Sequence, residues 1–275
     1  MELQHKIDKA VKLLQSFGKG KVVEVCYSGG KDSDVILELV KMAGIEYRAI
    51  YKNTTIDPPY TIAHCKSKGA EIIHPKRKFF DLVKYAGLPT VRARFCCRYL
   101  KEYKVLDDSV QGIRRCESQN RAKNYQEPII CRIYGNKKSH VNVCLPILEW
   151  SDKDVENFIE LRGIKCHPLY YDENGKFHVE RRLGCFGCPM KTDKGVGDFK
   201  RRPKFFKRLV QCAKIWYDTH PDASSRRKFD NVYELVYNNL FCKTYGDFIK
   251  AKQPDLFGET LDCKKYLEEY FNIEL

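Results

Sequence analysis

Six residues in a row, Ser28, Gly29, Gly30, Lys31, Asp32 and Ser33, stand where an apolar run ends and a periodic apolar segment begins. Their types suit phosphate. Two glycines let the backbone approach oxygens closely, and a helix starting just after them presents unpaired N–H groups and a partial positive charge. Ser28, Ser33 and Lys31 add donors. Asp32 cannot bind phosphate itself, so it points to a bridging cation such as Mg²⁺. The spacing is not G-x-x-x-x-G-K-[ST], which excludes a Walker loop. A plain tight turn with polar neighbours is the alternative reading.

A second set of reactive groups is the cysteines. There are 13 in 275 residues. The N-terminus mixes charges every few residues and lacks the apolar core of a secretory signal. A disulfide framework is therefore not expected, and the chain reads as cytoplasmic. Cys96 and Cys97 are adjacent, and Cys185 and Cys188 form C-x-x-C. Adjacent side chains diverge on a helix or strand, which hinders their meeting on one zinc ion. A cubane cluster spreads its irons and accepts diverging thiolates. A [4Fe–4S] cluster, a zinc site and plain core packing all stay open on spacing alone. Gly184 and Gly187 would let backbone N–H groups point at sulfur. Cys26, Cys131 and Cys144 lie in strand-like runs and read as packing.

These groups need a scaffold. "KVVEVCYS", "EYRAIYKN" and "EIIH" read as strands, each followed by a helical run that ends in glycine, and "SVQGIRRC", "PIICRIY" and "VNVCLPI" add later strands. The βαβαβα order predicts an α/β fold, a mainly parallel twisted sheet with helices on both faces. "SDKDVENFIELRG" predicts a serine-capped helix. From residue 198 the pattern turns helical, basic and aromatic. The expected division is a nucleotide-binding α/β domain over 1–197 and a C-terminal basic helical region over 198–275. No run is apolar enough to span a membrane. Lys and Arg number 50 against 36 Asp and Glu, a net charge of +14, which favours anionic partners. In "FKRRPKFFKRL", Phe199, Phe205 and Phe206 interleave with cations, a pattern that suits nucleic acid if the rings are exposed and an amphipathic helix if they are buried.

"SGGKDS" resembles the pyrophosphate loop of the adenine-nucleotide α-hydrolase superfamily. "NTTIDPP" (53–59), "RFCCRYLK" (94–101), "GIRRCES" (112–118), "PILEWSDKDV" (146–155) and "HPLY" with "RRLGCFGCP" (167–189) follow in the order of its phosphoadenosine phosphosulfate reductase family. The resemblance covers about residues 20–190. It implies a Rossmann-like nucleotide-binding fold and a [4Fe–4S] cluster on Cys96, Cys97, Cys185 and Cys188. It also implies an adenine nucleotide contacted by Ser28, Gly29, Gly30, Lys31, Asp32, Ser33, Thr54 and Arg115, with Asp57 either contacting ribose or capping a helix. Lys31, Asp32, Lys101 and Arg114 then carry the chemistry, with Arg121 nearby.

Two departures from that family matter. Leu100-Lys101 stands where the reductases have Arg-Lys, and the tail "LDCKKYLEEYFNIEL" lacks their Glu-Cys-Gly-His pattern around Cys263. The glycine loop itself is intact, as in members that split ATP between the α and β phosphates. Three readings follow: an ATP pyrophosphatase that adenylates an acceptor for sulfur transfer, with tRNA or DNA a fitting acceptor; a sulfonucleotide reductase; and a non-catalytic nucleotide- or DNA-binding regulator. The sequence leaves the oligomeric state open, a homo-oligomer included.

Overall fold

The computed structural model describes residues 2–134, 139–254 and 256–275. In chain order its elements are α1 (Glu2–Gly18), β1 (Val23–Cys26), α2 (Lys31–Ala43), β2 (Tyr47–Lys52), α3 (Thr61–Ser67), β3 (Glu71–Ile73), α4 (Phe79–Ala86), α5 (Phe95–Leu100), β4 (Asp108–Val110), α6 (Gln119–Asn124), β5 (Ile129–Tyr134) and β6 (Ser139–Cys144). There follow α7 (Asp152–Leu161), α8 (Val196–Arg201), α9 (Pro203–Thr219), α10 (Val232–Phe241), α11 (Tyr245–Ala251) and α12 (Cys263–Phe271). They form two compact units. One comprises Met1–Asn53, Asp57–Pro75 and Leu100–Gly184; the other comprises Thr54–Ile56, Lys76–Tyr99 and Cys185–Leu275.

The first unit is the α/β fold expected from the alternating pattern. Its strands run in the order β3-β2-β1-β4-β6-β5. All neighbours are parallel except β5, which pairs antiparallel with β6. Val25 stands opposite Ala49 on one side and Val110 on the other, so β1 is central. Its core joins Leu14 of α1, Val23 and Val25 of β1, Val35 and Leu39 of α2 and Phe158 of α7, all fully buried. α2 stops at Gly44, whose φ of 65° lets it close the helix in the left-handed conformation. Ser151 and Asp154 form the expected capping box on α7. The strand expected in "SVQGIRRC" ends at Val110, and a 3-10 turn occupies Arg115–Glu117. Cys144 packs as expected, but Cys131 is exposed on the edge strand β5.

The strand order reverses between β1 and β4: from β1 the chain steps outward to β2 and β3, then returns to β4 on the other side. In open parallel sheets, ligands bind beyond the carboxyl ends of the strands at such a reversal. Here that place holds the turn after β1 and the segment after β4.

The second unit takes in more than the C-terminal helices. Residues 76–99 and 185–197, expected in the nucleotide-binding domain, belong to the same unit as residues 198–275. The reason is packing. α4 lies along α9, with the Phe80 and Phe205 rings 5.1 Å apart and Arg208 4.6 Å over Phe80. Pro203 divides the expected long helix into α8 and α9 by taking the first position of α9. Phe199 and Phe206 are buried, and Phe205 stacks among Phe80, Phe186 and Phe199. Phe199 and Phe206 therefore build the core of this unit, and Phe205 is half-buried against other rings. Among the described residues no helix is long and apolar enough to cross a membrane.

Candidate active site

The turn after β1 is shaped by its two glycines and the start of α2. Gly29 has φ 76°, and a Cβ there would meet Cys65 Sγ at 3.2 Å and the Thr61 methyl at 3.3 Å, so both conformation and space demand glycine. Gly30 caps α2 with no side-chain hydrogen bond of its own, and the Tyr170 hydroxyl takes the Lys31 N–H, while the other N–H groups of a first turn have no partner within the helix. Ser33 Oγ donates to the Gly30 carbonyl at 2.7 Å, and the Gly30 N–H reaches Ser28 Oγ at 3.4 Å.

Below the loop lies a buried polar cluster. The Tyr27 hydroxyl donates to Asp34, His64 Nε2 sits 3.1 Å from both Asp34 oxygens, and the His167 ring packs edge-on to His64 at 5.7 Å. Burial, with Asp34 beside it, pushes the Tyr27 phenol far up, so it stays a donor. Burial, with His64 beside it, pulls His167 down. His167 receives the Leu169 N–H on Nδ1 and lies 3.0 Å from the Pro59 carbonyl. These groups pin α2 and the segment before α3 from beneath.

Lys31, Asp32 and Arg114 form a charge relay at the loop. Arg114 is only 1% exposed. Its Nε donates to Asp32 Oδ1 and its Nη2 to Asp152 Oδ1, each at 2.7 Å; its Nη1 lies 3.0 Å from Cys116 Sγ and 3.4 Å from the Trp150 carbonyl. Burial works against its charge, but Asp32 and Asp152 outweigh that and hold its pKa above the ordinary arginine value. Lys31, 4% exposed, reaches the second Asp32 oxygen at 3.2 Å. Arg114, expected to act on the substrate, thus spends its donors on protein groups and sets the orientation of Asp32. Gly112 permits this closeness: a Cβ there would lie 2.9 Å from the Asp32 carbonyl oxygen.

A cavity of about 220 Å³ opens over the loop, lined among others by Ser28, Gly30, Lys31, Asp32, Ser33 and Gly112. Arg121 and Arg182 also line it, with Glu117 between them. Burial and the neighbouring Arg182 lower the Arg121 pKa. Arg182 and Tyr170 were not singled out from sequence, although both lie in the "HPLY" and "RRLGCFGCP" landmarks. The expected nucleotide ligand Arg115 faces elsewhere: its Nε donates to the Tyr125 carbonyl at 2.8 Å and its Nη2 to that of Gln126. Lys101 is exposed in the turn after α5 and is not in the cavity lining. Asp57 accepts the Tyr51 hydroxyl at 2.5 Å.

The four cysteines all fall in the second unit. Cys96 and Cys97 lie in the first turn of α5. Cys96 is pushed far up by its hydrogen bond with Cys97, by burial, and by the Cys97 and Cys185 charges. Cys97 and Cys185 thus act on Cys96, but among the described residues no group of three His, Cys, Asp or Glu side chains is placed to hold a metal ion. Thr54, expected at the nucleotide, instead receives the Cys185 Sγ–H at 3.7 Å. Gly187, with φ 64°, leaves no room for a Cβ, which would meet the Phe199 ring at 2.4 Å. Its N–H donates to Asp198 Oδ2 at 2.8 Å, so it does not serve sulfur as expected. Cys263 is buried at the start of α12, and burial pushes its thiol up to about 12.

Residues 22–191 match the family described as the phosphoadenosine phosphosulfate reductase domain, well over half of the chain. The chain belongs to that family. Similar curated relatives of this phosphoadenosine phosphosulfate reductase domain include an uncharacterized 37.8 kDa protein of Escherichia phage 186, 28% identical over 54% of this chain and 46% of that one. Adenosine 5'-phosphosulfate reductase of Mycolicibacterium smegmatis is 32% identical over 37% of this chain and 40% of its own. A tRNA-5-methyluridine(54) 2-sulfurtransferase of Thermotoga maritima is 27% identical over 31% and 28%. The chain spans less than half the length of each of these relatives.

Proposed function

We propose that the protein binds Mg²⁺-ATP over the Ser28–Ser33 loop and cleaves it between the α and β phosphates, adenylating an acceptor for a sulfur-transfer reaction. The observation that carries this reading is the intact glycine loop at the sheet's reversal point, with Lys31, Arg121 and Arg182 lining one cavity above it. In that reading the N–H groups of the first α2 turn hold the β and γ phosphates. Arg114 orients Asp32, the residue that would hold Mg²⁺, and the ion supplies charge neutralisation along the phosphates. Lys31, Arg121 and Arg182 stabilise the charge that gathers on departing pyrophosphate as an acceptor oxygen bonds to the α phosphorus. Cys96, Cys97, Cys185 and Cys188 would hold a [4Fe–4S] cluster, which supplies a site for sulfur or electrons when bound. Similarity to the Thermotoga maritima sulfurtransferase supports this reading.

A second reading, reduction of a sulfonucleotide, is favoured by the 32% identity to adenosine 5'-phosphosulfate reductase. Anaerobic protein incubated with a dithiol reductant, separately with Mg²⁺-ATP and with each sulfonucleotide, separates the two, the dithiol supplying the two electrons that sulfite release requires. AMP and pyrophosphate in equal amounts support adenylation. Sulfite from a sulfonucleotide, with ATP untouched, replaces it with the second reading.

A further inference from the structure

The second unit contains a cavity of about 670 Å³ that the proposed chemistry does not use. Its size lies in the range of about 300–1,000 Å³ typical of small-molecule sites. Arg92, Lys194, Lys228 and Lys243 line it, and among the described residues no Asp or Glu does. Lys194, in the left-handed conformation with φ 52°, spends its ammonium on the carbonyls of Asn239, at 2.9 Å, and Cys242, at 2.5 Å, which closes the end of α10. Arg92, Lys228 and Lys243 are exposed and make no ion pair among the described residues, so their charge is available to a ligand.

Two aromatic side chains of the lining are held in place. Trp216 is fixed by Gly87, where a Cβ would lie 3.0 Å from the indole ring. Tyr245 is held by its hydroxyl, which donates to the Lys228 carbonyl at 3.0 Å, and its ring lies 5.5 Å from the Lys228 ammonium. The lining thus asks for two things at once: negative charge for Arg92, Lys228 and Lys243, and a flat apolar face beside Tyr245. Phosphate alone meets only the first. A nucleotide meets both, since bases stack on aromatic side chains while their phosphates meet cations.

We propose that this cavity binds a nucleotide unit, either a free nucleoside monophosphate or one unit of a single-stranded nucleic acid. Its binding stands apart from the ATP reaction; only its role as the acceptor site rests on the adenylation reading.

The test uses the whole 275-residue chain without ATP. Affinities are measured at low salt for AMP, UMP and inorganic phosphate by calorimetry, and for a fluorescein-labelled single-stranded pentaribonucleotide by anisotropy. The Lys228→Glu/Lys243→Glu double variant should lose about tenfold or more in affinity for whichever nucleotide probe binds. Tyr245→Leu should lose several-fold for that probe while its affinity for inorganic phosphate is unchanged. Binding of the strand alone assigns the site to nucleic acid, and binding of the monophosphates alone assigns it to a free nucleotide; either supports the proposal. It is overturned if no nucleotide probe binds the wild type, if the charge-reversed variant binds within about twofold of wild type, or if inorganic phosphate binds as tightly as the nucleotides. Should circular dichroism show the double variant unfolded, Lys243→Gln alone must show the loss. ATP binding, measured in parallel, should stay within about twofold in every variant. Failure of the wild type to bind or cleave ATP would remove the adenylation reading and leave the nucleotide-unit result standing.

Discussion

Asp32 is the residue on which the two cations of the loop converge. Arg114 fixes one of its oxygens and Lys31 touches the other. Asp32→Asn keeps the shape and removes the charge, so ATP cleavage should fall by roughly 100-fold, as for loss of a group that organises transition-state charge, with Tm nearly unchanged. A variant with normal turnover ends the role given to Asp32. Arg114→Lys can keep the charge but not the fork that joins Asp32 to Asp152. It should raise the Mg²⁺ concentration for half-maximal activity several-fold, whereas a purely structural Arg114 would shift Tm alone. Arg114→Ala should cost about 3 kcal/mol of stability by stripping Asp32 and Asp152 of their buried partner, measured by urea unfolding. Cys185→Ser should abolish iron and acid-labile sulfide in anaerobically purified protein; stoichiometric zinc in the wild type would refute the cluster.

At the scale of elements, α7 shows how a short motif anchors the sheet domain. Asp154 closes the Ser151 capping box and accepts Lys6 from α1 at 2.9 Å. Partial burial works against its charge, but the Ser151 N–H and hydroxyl and the Lys6 ammonium outweigh it and hold its pKa below the ordinary aspartate value. A carboxylate depressed in the folded state stabilises the protein above its unfolded pKa of about 4 and loses that contribution as pH falls through the folded value. Asp154→Ala should therefore destabilise by about 1–2 kcal/mol at pH 7. The gap to wild type should shrink steadily below about pH 4; a gap constant with pH would exclude the ionic part of the effect.

For the whole molecule, the division into units decides what can be cut. The chain passes between units several times, at 53–57, 75–76, 99–100 and 184–185. A fragment ending at residue 197 would keep α4 but lose α9, its main packing partner, and expose Phe79, Leu82 and Val83, which are buried in the intact chain. That fragment should aggregate or bind a dye for exposed apolar surface. A soluble, cooperatively unfolding fragment 1–197 would restore the boundary expected from sequence.

What local chemistry dictates could be read from the chain alone. The alternation of apolar runs with capped helices specified the parallel sheet, because strand and helix periods differ and glycine or proline marks their ends. The glycine pair between β1 and α2 specified a tight turn, since φ at Gly29 is a local property. What lay between distant residues did not. Arg114 and Arg115 are neighbours in one motif, yet one is buried against Asp32 and the other turns to the Tyr125 and Gln126 carbonyls. Thr54 and Asp57, three residues apart, fall in different units. The phenylalanines between cations could face water or core, and only the packing of α4 on α9 turned them inward. Side-chain partners across long sequence separations are set by how whole elements pack, and a single chain's local pattern carries no term for that.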